Sequence, residues 1–269
     1  MPNNPYTENA EKWKAISNID YFTHFVKAWI PFNAWYRNSY PQDDSDAKVL
    51  FSIKTQPNTF KDRLVVYIRG AQSGAQSETE NQKFMTNLSE LIHQLQIVRV
   101  PCKDGWLDFT NLVVDPNPLT ENHFSYRSRE YKVEMDASNN KRVTSSIVKA
   151  SVPKYSKAQI AGYNLAELKS DIGFQHLSGE MRGQLKACYE EINPRKPSKL
   201  IVGEHETPNI KIGAYYLVDD PELIARAVIT VIYGLRNALF HGEIVPNSDA
   251  QGVYEPAYHI LAKLVQHLA

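Results

Sequence analysis

Residues 219–242 read DDPELIARAVITVIYGLRNALFHG, and the fold class turns on this stretch. Asp219 and Asp220 precede Pro221 and Glu222: an Asp side chain can accept from the first unpaired helical N–H groups. Proline loses nothing in the first turn, and an acid there complements the helix dipole. Leu223, Ile224, Ala227, Val228, Val231, Ile232, Leu235 and Leu239 then recur at spacings of three and four. Gly242 can supply the left-handed residue past the end. The pattern predicts a long core helix ending near His241. Its nearly uncharged stretch, Ala227 to Leu235, is too short to span a bilayer.

Outward from this helix the helical period returns repeatedly. Phe22, Phe25, Val26, Trp29, Phe32 and Tyr36 predict a first helix from Ile19 to about Asn38, kinked or broken at Pro31. Ser45 or Asp46 caps a second helix carrying Val49, Leu50 and Ile53. A third covers Phe60 to Ile68, followed by a small polar loop at Gly70–Gly74. A fourth opens at Ser77–Glu80 and carries Phe84, Leu88, Leu91, Ile92 and Leu95. From Val98 to about Ser156 the period is lost. Within that interval YRSREYKVEM and KRVTSSIVKASV flank the turn Asp136–Asn140, a β-hairpin signal of alternating Tyr, Val, Ile and Thr. Helices are then expected at Lys157–Leu168, Gly179–Ile192 and Pro256–Leu268. The expectation is a mainly α chain, an up-and-down helical bundle forming one domain over 1–269. Its helical core is 17–97 and 156–269, and its irregular, hairpin-bearing insertion is 98–155.

The chain has 269 residues, ample for a buried core, with 30 Lys+Arg against 30 Asp+Glu. Zero net charge excludes binding a polyanion by general positive charge. Cys102 and Cys188 are too few for a disulfide framework and have no metal-ligand spacing. The polar, acid-containing N-terminal tail matches neither a secretory signal nor a transit peptide, so a cytoplasmic location is expected.

The chemistry is concentrated at the end of the 219–242 helix. Asn237 and His241 are four apart and share a face, and Arg236 is five from His241, about 140° round. An imidazole can give or take a proton near neutrality, and a guanidinium can hold a phosphate and offset its developing charge. Those two groups suffice to cleave RNA without a metal. The spacing alone is weak: 11 Arg and 8 His in this chain produce about one such pair by chance. A His near a helix C-terminus is also favoured by the dipole alone.

Arg236-Asn237-x-x-x-His241-Gly242 closely resembles the Arg-polar-x(3–5)-His signature of the HEPN superfamily. Trp29-Ile30-Pro31-Phe32-Asn33-Ala34-Trp35-Tyr36 is similar to the first-helix box of several of its branches, with Trp35 replacing a Leu. The resemblance implies a helical bundle that usually dimerises, two motifs facing each other across a two-fold axis as one metal-independent RNase site. It implies that Arg236 and His241 are the catalytic pair and that Asn237 orients them, with Asn33 and Tyr36 the next nearest residues. The middle of the chain, 55–206, carries no motif of that family. A toxin or defence effector is the implied setting, with an antitoxin or a nucleotidyltransferase as possible partner. The other expectation is a non-catalytic module that binds such a partner or a small ligand.

Between Arg127 and Lys157 eight basic residues face three acids, a net +5 that leaves −5 on the rest of the chain. Arg127, Arg129, Lys132, Lys141 and Arg142, with Tyr131 among them, suit a phosphate backbone and unstacked bases. A hairpin with lysine-protected edges reads equally well. No metal or cofactor is expected: Gly203-Glu204-His205-Glu206 lacks ligand spacing, and the 70–74 loop lacks a phosphate-loop context.

Overall fold

A computed structural model describes residues 20–72, 79–102, 105–136, 138 and 141–268. The expectations for the N-terminal tail, for Ser77–Glu78, for most of the 70–74 loop and for the tip of the 136–140 turn fall outside them. The chain divides into two compact units, one from residues up to Val114 and from Lys199 onward, the other Asp115–Ser198.

The first unit holds α1 (Tyr21–Ser39), α2 (Asp46–Thr55), α3 (Thr59–Gln72), α4 (Thr79–Ile97), α8 (Pro221–Phe240) and α9 (Ser248–Val265). Two short antiparallel hairpins join them: β1 (Pro101–Cys102) with β2 (Gly105–Trp106), and β7 (Asn209–Ile212) with β8 (Tyr215–Val218). In the second unit β3 (Glu121–Tyr126), β4 (Arg129–Asp136), β5 (Arg142–Lys149) and β6 (Val152–Gln159) form one antiparallel meander. It is followed by α5 (Leu165–Ser170), α6 (Ile172–Gln175) and α7 (Gly179–Glu191).

The mainly α class is therefore corrected. The described residues hold nine helices, 51% helical, and eight strands in three antiparallel sheets: a mixed α/β fold and not an up-and-down bundle. The missed strands have a physical cause. Tyr126 pairs with Arg129 and Lys149 with Val152, so Arg127-Ser128 and Ala150-Ser151 are two-residue turns. All four turn residues have positive φ, from 49° to 63°, as a type I′ turn requires. Such turns normally announce themselves by Asn-Gly or Asp-Gly, and neither pair does. The helix expected over 157–168 is likewise a strand as far as Gln159, then α5. The 115–198 unit is also longer than the 98–155 segment, because the inner face of the sheet needs a cover. Tyr131, Val133, Val143 and Ile147 pack there against Leu168, Leu185, Cys188, Tyr189 and Ile192.

The local reading of α8 holds in detail. Asp220 accepts from the Leu223 N–H at 2.9 Å with Pro221 in the first turn. At the other end Gly242 (φ +67°) donates to Leu239 at 3.2 Å and Glu243 to Ala238 at 2.9 Å, the paired bonds of a Schellman end. α8 is apolar and long enough to cross a bilayer by length and composition, and half of that stretch is buried within the protein. α1 is one continuous helix through Pro31, and α9 begins at Ser248, so that Pro256 lies inside it. α8 packs on α3 and α2, and α9 on α1 and α4.

Candidate functional site

Arg236 emerges from the last turns of α8 toward α1 and α2. Its guanidinium lies 4.9 Å from the Phe240 ring, 5.7 Å from Trp29 and 6.0 Å from Tyr233. Three aromatic faces around one guanidinium favour the charge and restrict its rotamers. Its Nη1 donates to Asn237 Oδ1 at 2.9 Å and lies 3.4 Å from Asp46 Oδ2. Asp46 in turn pairs with Arg37 through its other oxygen. One carboxylate thus serves two guanidiniums, and the cluster keeps a net positive charge. Arg236 Nε is buried without a partner. Nη2 makes no hydrogen bond among the described residues, so the group is held by one nitrogen and available at the other.

Tyr36 closes the floor of this cluster. Its hydroxyl is buried with no hydrogen-bond partner. Burial first, then the Asp46 carboxylate, push it up to about 12 against the pull of Arg236 and Arg37. Asn33 is half-buried and makes no side-chain hydrogen bond among the described residues.

His241 is the C-cap of α8, its N–H donating to Asn237 C=O at 2.9 Å. Its side chain is exposed, as are those of Phe240 before it and Val245 four residues on. It lies about 140° round the helix from Arg236. Arg236 and Asn237 are brought together; Arg236 and His241 form no hydrogen bond among the described residues. The cap places the imidazole at the C-terminal end of a long helix.

The basic stretch belongs to the other unit, and its charge is more evenly offset than its sequence suggests. Arg127 pairs with Glu180 at 2.9 Å, Lys132 with Glu134 at 2.5 Å, and Lys157 with Asp171 at 3.3 Å. Two of those acids lie outside the stretch, Glu180 in the first turn of α7 and Asp171 at the junction of α5 and α6. Glu121 sits opposite Glu134, so Glu121, Glu130 and Glu134 share the open face with Lys132. Lys141 and Arg142 are exposed, Lys141 at positive φ, and Arg129 is partly covered. Tyr131 is corrected outright as a base-stacking residue: it is fully buried and stacked on Phe124 at 5.2 Å.

Asp46, Arg37, Tyr233 and Phe240 escaped the sequence reading. In the sequence Asp46 reads only as a candidate helix cap, and no spacing links it to a residue so far along the chain. In the Gly203–Glu206 loop, the Glu206 carboxylate accepts from Gly203 and pairs with Lys199, while Glu204 accepts from Tyr216. No family model, curated protein or solved structure matches this chain.

Proposed function

We propose that the protein is a metal-independent endoribonuclease working from the α8 C-terminus. Arg236 Nη2 holds a non-bridging oxygen of the scissile phosphate, while Asn237 and Asp46 anchor Nη1. The RNA 2′-oxygen attacks its own phosphorus and loses its proton to an imidazole. The P–O5′ bond breaks, and the 5′-oxygen takes a proton from an imidazolium. The products are a 2′,3′-cyclic phosphate and a 5′-hydroxyl. Base and acid are two His241 side chains, one from each copy of a homodimer, as the resemblance of the motif implies. A cytoplasmic toxin or defence effector, restrained by an antitoxin or paired with a nucleotidyltransferase, is the setting. Lys141 and Arg142 contribute backbone contacts.

What supports this reading is the difference between the two side chains: an arginine gripped at one nitrogen and open at the other, and an exposed imidazole on the same helix end. Incubating wild type, Arg236→Ala and His241→Ala with cellular RNA in chelator tests it. Cleavage by wild type alone is the expected result, and equal cleavage by all three, or none by wild type, contradicts it.

The Asp46 ion pair favours a second reading. An arginine tied to α2 and capped by aromatic rings can serve as cement between helices in a non-catalytic module that binds a protein partner or a small ligand. That reading expects Arg236→Ala to lower stability and leaves no RNA cleavage to lose.

A further inference from the structure

Away from the α8 end, the first unit carries a second cleft with a different chemistry. α4 ends with Leu95 and Gln96 in its last turn and Arg99 two residues beyond it, and the β2 segment continues past Trp106 as Leu107, Asp108 and Phe109. Alternation along this extended segment sends Leu107 and Phe109 inward, 2% and 1% exposed, and leaves Trp106 47% exposed. Leu107 is anchored against α8 at Gly234, so the indole is held outward by a buried neighbour. The cleft bounded by Leu95, Gln96, Arg99, Trp106, Asp108 and Thr110 has a volume of about 410 Å³, within the roughly 300–1,000 Å³ of small-ligand sites.

Its polar groups are sorted by charge. The Arg99 guanidinium lies 5.7 Å from the Trp106 ring centroid and is exposed. Among the described residues it forms no ion pair, although Asp108 lines the same cleft. The reason is local: one Asp108 oxygen accepts from the Thr110 N–H at 2.7 Å and the Asn111 N–H at 2.8 Å, and also from the Thr110 hydroxyl. The Asn111 amide reaches the second oxygen at 3.1 Å. Burial alone would raise this carboxyl, but those hydrogen bonds outweigh it and hold it below the usual range. The acid is spent on its own turn, and the cation is left over. Gln96 accepts from the Tyr215 hydroxyl through Oε1 at 3.2 Å, so its NH2 group is uncommitted among the described residues.

We propose that this cleft binds one nucleotide unit of single-stranded nucleic acid, the base stacked on Trp106, the phosphate on Arg99 and the base edge within reach of the Gln96 amide. An exposed indole with a guanidinium over its ring, and no ion pair to that guanidinium among the described residues, is the kind of pairing that sequence-tolerant strand binders use, and both groups are exposed. The cleft stands apart from the cleavage proposed at α8 and is tested without it.

The test is fluorescence anisotropy of labelled pentadeoxythymidylate on the full chain; lacking a 2′-hydroxyl, the probe cannot be cut by the proposed chemistry. Trp106→Ala should weaken binding about tenfold, and Trp106→Phe should recover most of it. Arg99→Ala should weaken it and lower the slope of log affinity against log salt by about 0.7, one single-strand phosphate. Thymidine monophosphate and inorganic phosphate serve as competitors. A mononucleotide that competes as well as the pentamer would confirm the recognition chemistry and make a free nucleotide its source. Wild-type affinity in both Trp106→Ala and Arg99→Ala, no binding by wild type, or competition by phosphate alone as strong as by the nucleotide would overturn the proposal. Both positions are exposed, and circular dichroism of each variant verifies that the fold is retained.

Discussion

The Arg236 guanidinium meets the Asp46 carboxylate at 3.4 Å, both side chains about four-fifths covered, at 24% and 21% exposure. A pair at this depth contributes about 1 kcal/mol, and Asp46 divides its charge with Arg37. Asp46 therefore orients Arg236 without neutralising the cluster.

Three substitutions separate orientation of Arg236 from its action on the phosphate. Asp46→Asn keeps an acceptor and should cost about 1 kcal/mol in urea unfolding while leaving cleavage within about tenfold of wild type. Arg236→Ala should lower cleavage at least about a hundredfold, the usual result of removing a charge-stabilising donor. Asn237→Ala, which removes one of two Nη1 anchors, should fall between them.

Tyr36→Phe should stabilise the protein at neutral pH, because it deletes a buried hydroxyl with no partner; the gain expected is about 1 kcal/mol. The phenol rises from 10.0 to about 12 on folding, so above pH 10 the unfolded chain releases a proton that the folded chain keeps. The stability linked to Tyr36 is complete below pH 10 and is lost as pH climbs toward 12. Thermal melts from pH 7 to 11 should show a shallower alkaline decline in Tyr36→Phe than in wild type.

Ala150-Ser151 turns between β5 and β6 with both residues at positive φ, 49° and 63°. Replacing the pair by Asn-Gly, which occupies those angles readily, should stabilise the 115–198 unit by about 1 kcal/mol. Urea denaturation followed by strand-sensitive circular dichroism reads the shift, and an unchanged midpoint would count against strain in that turn.

These turns also mark where the sequence stopped being legible. α8 could be read end to end because each of its signals is local: Asp220 at the cap, Pro221 in the first turn, Gly242 beyond the end. The β4–β5 hairpin was legible from Val and Ile alternation. β3 and β6 were not, since Arg127-Ser128 and Ala150-Ser151 carry no turn signature and Lys157 resembles a helix start. The site was half legible. The Arg236–Asn237 bond connects neighbours, whereas the Asp46 and Trp29 contacts depend on tertiary packing, which no spacing encodes. Tyr131 was misplaced for a similar reason: a tyrosine facing a helix and one facing water look alike until the sheet has its cover.

Gly234→Ala tests how tightly α8 is held two residues before Arg236. Alanine gains about 1 kcal/mol of helix propensity, but its Cβ would lie 2.7 Å from a Leu107 methyl that is buried among the core residues. Overpacking of about 1–3 kcal/mol should win. A net loss in thermal stability is expected, partly recovered by adding Leu107→Val. A gain in the single variant would mean that Leu107 yields freely.

The central claim is that Arg236 and the His241 imidazoles of two copies, at the ends of their α8 helices, cleave RNA by internal 2′-oxygen attack. End-group analysis of RNA cut by wild type and by His241→Ala, both in excess chelator, tests it most directly. The account predicts wild-type fragments ending in 2′,3′-cyclic phosphate and beginning with 5′-hydroxyl, and no such fragments from His241→Ala. Fragments with 5′-phosphate ends, cutting abolished by chelator, or identical products from both proteins would contradict it.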